Sequence, residues 1–261
     1  MTERTAEIFD LQGKATGKIT LPIVFSTPLR PDVIKRAVLA IQSNRLQPQG
    51  RDPMAGKRTT AESRGTGMGI ARIPRIKGGS GRAAFAPSTV GGRQPHPPTA
   101  EKKIVKNIPK KEAKLALTSA IAATAQKELV AKRGHAIEKI VQIPMIIDDA
   151  LENLTRAKDV EDVFTRLGID SDIARVRDSR AIRAGKGKLR GRKMKQAVGP
   201  LIVVCDSVNI VAAANNIPGV QVTTVLNLNT EMLAPGTHPG RLTVWTNGAI
   251  EHLNTLYGEN A

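Results

Sequence analysis

One segment of the sequence, from Arg45 to Lys106, limits what the whole chain can fold into. It combines frequent Gly and Pro with many Lys and Arg, and its apolar residues are too sparse for the periodicity of a helix or a strand. Ordering about 60 such residues would cost roughly 1 to 2 kcal/mol each in backbone entropy, more than burial of the few apolar side chains returns. The segment is therefore either disordered alone or ordered by a partner.

The charge of this segment indicates the kind of partner. Arg alternates with Gly and Pro, as in extended arms that pass between phosphates, whereas a simple flexible linker would lack the interleaved Arg. Gly lets a backbone approach RNA closely, and Arg binds phosphate or stacks on a base. A solvated, disordered linker is the alternative. The candidate RNA-binding residues of the segment are Arg45, Arg51, Lys57, Arg58, Arg64, Arg72, Arg75, Lys77, Arg82, Arg93, Lys102 and Lys103.

A second basic run extends from Arg175 to Lys195 and ends before the apolar segment Leu201 to Cys205. Its cations would repel one another unless phosphates or counterions screen them, so we interpret it as a second RNA-facing loop. Together the two runs carry most of a net charge of +17, which favours a polyanionic partner. The candidate RNA-binding residues here are Arg183, Lys186, Lys188, Arg190, Arg192 and Lys193.

The rest of the chain has the pattern of an alternating α/β domain. Short apolar runs suited to buried strands recur downstream, and helix-like segments separate them. Strands that alternate with helices indicate right-handed crossovers and a parallel sheet. The prediction is a single three-layer α/β domain with a mainly parallel sheet, formed by residues 1–44 and 107–261, with residues 45–106 inserted as a long extended loop near the N-terminus.

Individual elements follow from the same patterns. One helix begins at Pro31, a tolerated first-turn position, and a second is predicted as a single helix from Pro109 to Gly134, with apolar residues at every fourth position. Residues 7–11 and 18–21 form a predicted hairpin. The remaining predicted strands are 143–147, 201–205, 220–225 and 242–246, and the remaining predicted helices are 148–157, 160–167, 208–216 and 249–257.

Enzyme motifs lack the required context. The glycines from Gly65 to Gly69 resemble a phosphate-binding loop, but they follow a polar segment and not a buried strand. Asp148 and Asp149 are better explained as the N-terminus of a helix than as metal ligands. Cys205 lies inside an apolar run, which favours core packing over a nucleophile, and the four histidines are far apart. We expect no catalytic residue, metal, cofactor or small-molecule substrate.

The length of the apolar runs and the number of cysteines indicate the cellular compartment of the protein. The sequence has no uninterrupted apolar run of about 18 residues, so we expect no membrane partner. Its N-terminus is polar and lacks the apolar core of a signal peptide, and its only cysteine permits no internal disulfide. We therefore expect a cytoplasmic protein.

The loop sequence also resembles that of a known family. Arg64-Gly65-Thr66-Gly67-Met68-Gly69-Ile70-Ala71-Arg72-Ile73-Pro74-Arg75, then Lys77-Gly78-Gly79 and Arg82 to Pro87, is similar to the loop of universal large-subunit ribosomal protein four. Gly91-Gly92-Arg93 and His96-Pro97-Pro98 are typical of its archaeal and eukaryotic branch. Met68 departs from the pattern, since many relatives have a basic residue there. The chain ends at Ala261, without the extension of eukaryotic members, which indicates the archaeal type.

The resemblance implies a cytoplasmic structural constituent of the large ribosomal subunit. In that family the loop runs through ribosomal RNA, supports assembly, and helps line the nascent-peptide exit tunnel beside the universal protein twenty-two. The residues placed at the tunnel tip are Arg64, Gly65, Gly67, Arg72, Arg75 and Lys77. Two alternatives remain: a non-ribosomal nucleic-acid-binding or RNA-chaperone protein, and an α/β nucleotide enzyme with basic surface segments.

Overall fold

Helices and strands alternate through most of the computed structural model, which describes residues 4–78, 81–205 and 209–257. The chain divides into two units, one formed by Met1–Ile41 with Asn107–Ala261 and the other by Gln42–Lys106. The described part of the second unit has turns and isolated β-bridges after the helix that ends at Ser43.

The first unit contains a six-stranded sheet with the strand order β2-β1-β3-β8-β6-β7. Its β1 and β2 are antiparallel, and the other neighbouring strands are parallel. A separate two-stranded hairpin pairs β4 with β5. The strands are β1 (Thr5–Phe9), β2 (Ala15–Thr20), β3 (Met145–Ile147), β4 (Ala181–Ile182), β5 (Met194–Lys195), β6 (Leu201–Val204), β7 (Gln221–Thr224) and β8 (Thr243–Thr246).

Helices connect these strands. They are α1 (Pro31–Ser43), α2 (Lys110–Thr124), α3 (Lys127–Arg133), α4 (Ala157–Arg166), α5 (Asp170–Asp178), α6 (Asn209–Ala214), α7 (Thr230–Leu233) and α8 (Asn247–Tyr257). Short 3-10 turns cover Ile23–Ser26, Asp149–Asn153, Lys186–Arg190 and Pro235–Thr237. None of the helices in the described ranges is both long and apolar enough to cross a bilayer.

Alternate residues of the central strands pack into two separate hydrophobic clusters. Ile147 and Val204 belong to one cluster with side chains of α3, α4, α5 and α6. Ile146, Val203 and Trp245 belong to the other, with side chains of α1, α2, α7 and α8. Because neighbouring residues of a strand point to opposite faces, helices cover both faces of the sheet. The predicted three-layer α/β fold with a mainly parallel sheet is confirmed.

The predicted helix from Pro109 to Gly134 is wrong, because the chain forms two helices there. Gln126 has extended backbone angles, and its carbonyl accepts hydrogen bonds from the N–H groups that open α3. Ile121 of α2 and Val130 of α3 are fully buried in different clusters, on opposite faces of the sheet. One straight helix could not bury both, and the break at Gln126 allows it.

Two further predictions needed correction. The predicted helix 148–157 is wrong: only Asp149–Asn153 forms a 3-10 turn there, because Leu154 and Arg156 are extended and α4 begins at Ala157. Arg175 and Arg177, interpreted as part of a loop, lie in the unpredicted helix α5. The predicted start of the helix 208–216 at Val208 lies outside the described residues, and α6 begins at Asn209.

Candidate nucleic-acid interface

The two sides of the segment 45–106, called the arm below, lie beside each other. Arg51 N–H donates to the carbonyl of Pro98 at 3.1 Å, which joins the two sides near the arm's base. Further along, a Cβ added to Gly56 would lie 2.6 Å from the backbone of Gly92 and Arg93, a spacing that only glycine permits. Beyond this crossing, isolated bridges join Glu62 to Arg75 and Arg75 to Ala83. A few backbone contacts therefore join the two sides of the arm.

Side-chain burial contributes little to the arm. None of the described residues in 44–78 and 81–106 is buried. Phe85 is half-buried, with the Arg93 guanidinium 5.7 Å from its ring centroid. Phe85 has a φ of 68°, a strained conformation for a bulky residue. An element without a core gains little hydrophobic stabilisation, so its backbone geometry must depend on other contacts.

The structure separates most of the predicted arm cations into two groups. Some have partners within the arm: Arg51 donates to Gln94, Arg58 pairs with Asp52, Arg75 donates to the Gly81 carbonyl, and Lys77 pairs with Glu62. The Arg58 guanidinium holds the pKa of the Asp52 carboxyl below its ordinary value. Six more are exposed, and the described residues supply no partner for their side chains: Lys57, Arg64, Arg72, Arg82, Lys102 and Lys103. Of the remaining two, Arg93 contacts the Phe85 ring and Arg45 is exposed.

The predicted tip has an open, glycine-rich backbone. Gly65, Gly67 and Gly69 have φ values of 73°, 87° and 64°, and a Cβ added to any of them would meet nothing within 4 Å. Arg64 and Arg72 are exposed, whereas Arg75 is half-buried and bonded inside the tip. The tip therefore leaves both backbone and guanidinium groups available to a partner.

The second basic run forms a hairpin, residues 180–197, around β4 and β5. Arg183 holds the hairpin closed by donating to the carbonyls of Arg192, at 3.0 Å, and Met194, at 3.4 Å. Its loop is turned by Gly185 and Gly191, whose φ values are 76° and 77°. Five of the predicted RNA-binding cations have no partner in the described part of the chain and are exposed: Lys186, Lys188, Arg190, Arg192 and Lys193.

A buried network that the sequence analysis missed holds the base of this hairpin. Asp172 is fully buried and accepts from Arg175 Nε at 2.9 Å, while His135 Nδ1 lies 3.0 Å from its other oxygen. Burial alone would raise the pKa of Asp172, but the hydrogen bonds from His135 and Arg175 outweigh it and lower that pKa. Arg175 also donates to the Val198 carbonyl at 2.9 Å. The network therefore fixes where the hairpin leaves the domain.

The residues considered above for enzymatic chemistry lie in turns and caps of the fold. Gly65 to Gly69 lie in an exposed, irregular segment. In the described part of the arm, no strand precedes this segment and no helix follows it, as a phosphate-binding loop would require. Asp148 caps the 3-10 turn through its own side chain, and Asp149 accepts from Gly248 N–H at 2.7 Å. In the described ranges no three His, Cys, Asp or Glu side chains come together as a metal site would require.

Comparison with known proteins gives the family. The model of the ribosomal protein L4/L1 family matches residues 19–256. The chain is 51% identical to the large ribosomal subunit protein uL4 of Methanosphaera stadtmanae, over 97% of both chains. It is 49% identical to the uL4 of Methanococcoides burtonii and 47% identical to that of Saccharolobus islandicus, over 97% of this chain and 99% and 95% of theirs. The chain belongs to the ribosomal protein L4/L1 family.

Membership of the L4/L1 family confirms several of the sequence-based expectations. The suspected family is correct, and its archaeal branch fits these archaeal relatives. The chain is a structural protein of the large ribosomal subunit and not an enzyme, with the cytoplasmic location of a ribosome component. The sequence could give this answer because the order of short motifs in the arm is more specific than any one of them.

Proposed function

We propose that the chain binds large-subunit ribosomal RNA through two basic elements, the arm and the hairpin, and that the arm's tip helps line the nascent-peptide exit tunnel. The observation that carries this proposal is the arm's lack of any buried side chain among its described residues, combined with its free cations. Such an element needs external anions to hold one conformation. RNA phosphates supply these anions at high density.

Phosphate contacts and RNA shape dominate this binding. The chain has one Trp, one Tyr and four Phe, and Phe85 alone lies in the arm, where it already contacts Arg93. Recognition by stacking bases on aromatic platforms is therefore a minor contribution. Guanidinium groups bind phosphates with two parallel hydrogen bonds, and glycine lets the backbone pass between RNA helices. The mechanism is scaffolding, in which cations neutralise converging phosphates and support assembly.

The tip is the part of the arm proposed to reach the tunnel. Arg64, Arg72 and the glycines around them have open surroundings, so nascent peptide, RNA and a neighbouring protein can all approach them. We propose that the universal protein twenty-two is that neighbour. Arg75 supports this surface from inside, since its guanidinium donates to the Gly81 carbonyl.

Limited proteolysis of the free chain and of the intact large subunit tests the RNA-binding proposal. Trypsin should cut the free arm at Lys57, Arg64 and Arg72 rapidly, and assembled RNA should protect the same sites. An arm that resists trypsin when free would be a self-sufficient fold, and the proposal would lose its physical basis. Washing subunits in high salt separates an integral constituent from an RNA chaperone, since only the chaperone should wash off.

Site-directed crosslinking tests the tunnel position. Cys205 is the only cysteine, so a Cys205→Ser background allows a single crosslinker at Thr66→Cys in the tip. A stalled nascent chain should crosslink to position 66 and not to a control cysteine at the exposed Thr99 near the arm's base. Equal crosslinking at both positions would contradict the tunnel assignment while leaving RNA binding intact.

A further inference from the structure

Arg241 is a buried cation for which the described residues provide no carboxylate in direct contact. The residue lies just before β8 in the sequence and is 1% exposed. The guanidinium donates only to neutral acceptors: the carbonyls of Gly199, Pro200 and Met232, and the amide oxygen of Gln221, at 2.7 to 3.4 Å. An arginine has five N–H donors, so these four hydrogen bonds leave one free. Buried charges are normally paired, so this one is exceptional.

The surroundings of Arg241 contain excess positive charge. Burial lowers the pKa of Arg241 to about 9, with a further lowering from the positive charge of Arg133. Arg133 itself donates to backbone carbonyls, those of Pro235 and His238. The carboxylate that offsets Arg241 is Asp172, but Asp172 already accepts hydrogen bonds from Arg175 and Ala136 N–H. The described residues therefore leave this part of the domain short of negative charge.

A cavity of about 440 Å³ opens beside Arg241, at the amino ends of β6 and β7. Its polar lining consists of Arg180, Gln196, Asn215, Asn216, Gln221 and Arg241. No Asp or Glu contributes to the described lining. Arg180 is exposed at the rim, and no side-chain partner for it occurs in the described ranges. Two guanidinium groups and several amide donors thus face one polar space.

We propose that this cavity is a phosphate-binding site, in which Arg180 and Arg241 hold the phosphate oxygens and the amide side chains complete the hydrogen bonding. A phosphate is the ligand of choice because guanidinium groups match its oxygens and its charge supplies the missing counter-ion. The volume exceeds what one phosphate needs, which leaves room for an attached sugar. The ligand is therefore a phosphate mono- or diester, from a free nucleotide or from an RNA backbone.

Titration of the full chain with inorganic phosphate tests the site. The ionic strength is kept constant by removing chloride as phosphate is added. The readout is the NMR signal of the Arg241 Nε–H group, which reports on this cavity and not on the many arm cations. The signal should shift saturably. Arg180→Gln should weaken phosphate binding by about tenfold, the loss of one charge-assisted contact. Arg177→Gln, which removes an exposed cation from outside the cavity, should leave binding unchanged.

A second variant guards against indirect effects of losing charge. Asn216→Asp places a carboxylate at the exposed rim with almost no change in shape, and it should abolish the saturable shift. A shift that never saturates, or that is equal in Arg180→Gln, Asn216→Asp and the unaltered chain, would overturn the proposal.

The source of the phosphate is identified in assembled subunits. A photo-crosslinking amino acid at position 216 should attach to ribosomal RNA if the RNA backbone occupies the site. If no crosslink to RNA forms, the site is assigned to a free phosphate ester. The RNA outcome rests on the proposed function, but the phosphate titration does not. If RNA fails to protect the arm from trypsin while phosphate still shifts the Arg241 signal saturably, only the proposed function is rejected.

Discussion

Five exposed cations of the hairpin give the sharpest quantitative test of RNA binding. They are Lys186, Lys188, Arg190, Arg192 and Lys193, and the described residues offer them no internal partner. Replacing all five with Gln should leave the domain folded, because Arg183 still closes the hairpin through backbone carbonyls and Arg175 still holds its base. The change therefore removes charge and little else.

The expected effect follows from counterion release. Each phosphate neutralised by a protein cation contributes about 0.7 to 0.9 to the slope of log affinity against log salt. If all five cations contact phosphates, the variant should lose about 3.5 to 4.5 from that slope. The slope is more informative than one affinity, since it counts phosphate contacts.

The assay is filter binding to large-subunit ribosomal RNA over a series of potassium chloride concentrations. A matched control replaces five exposed lysines elsewhere on the globular unit with Gln, and these are Lys14, Lys18, Lys35, Lys127 and Lys158. The control has the same net charge as the variant and should keep nearly the original slope. A loss below about 1 in the hairpin variant, or an equal loss in the control, would refute a specific hairpin contact.

Three further changes test parts of the structure. Asp172→Asn removes a buried charge and should cost about 3 kcal/mol in urea unfolding at pH 7. Because the pKa of Asp172 is lowered by folding, this stability is present above the unfolded pKa and is lost as the carboxyl is protonated, so the difference should shrink below about pH 4. Gly92→Ala would place a Cβ 2.0 Å from the Ala86 carbonyl oxygen, open the turn there, and weaken RNA binding by about tenfold. Asn229→Ala removes the side chain that accepts from Met232 N–H at 2.9 Å and should cost about 1 kcal/mol of unfolding free energy.

Each of these variants has a control in the same region. Asp178→Asn changes an exposed carboxylate of the same helix, and a pH-independent gap for Asp172→Asn would contradict the assigned pKa. Gly91→Ala has open space for its Cβ but a φ of 74°, so it adds backbone strain without a clash, and it should affect RNA binding less than Gly92→Ala does. Asn227→Ala alters an exposed neighbour of the cap and should change stability little; an equal cost at both positions would remove the capping role.

The sequence predicted the centre of the sheet well because β3, β6 and β8 are buried on both faces. Such strands appear as continuous apolar runs, and Leu201–Val204 and Thr243–Thr246 lie within the predicted ranges. Helix α5 was missed because only Ile173 and Val176 bury apolar surface among many charges. The break between α2 and α3 depends on which sheet face each helix covers, and local periodicity carries no such information.

The sequence predicted which residues give the candidate interface its positive charge, but not which of these cations form ion pairs within the fold. The composition of the arm identifies its cations, but Lys77 and Glu62 are far apart in sequence and meet only across the folded arm. The i,i+3 spacing of Asp172 and Arg175 was a readable signal, whereas His135 joins them from a distant helix end. Arg241 follows Pro239 and Gly240, a pattern that indicates an exposed turn. Its burial becomes visible only when β6, β7 and β8 are assembled.

The position of β8 also sets the order in which the domain can form. It lies between β3 and β6, yet it follows all the other described strands in the sequence. Until residues 243–246 are available, β2-β1-β3 and β6-β7 are separate half-sheets with open edges that can pair with other chains. Such late, long-range closure slows folding and exposes aggregation-prone intermediates. During synthesis the polycationic arm is thus exposed well before the six-stranded sheet can close, which makes early capture by RNA or a protective partner an advantage to the newly made chain.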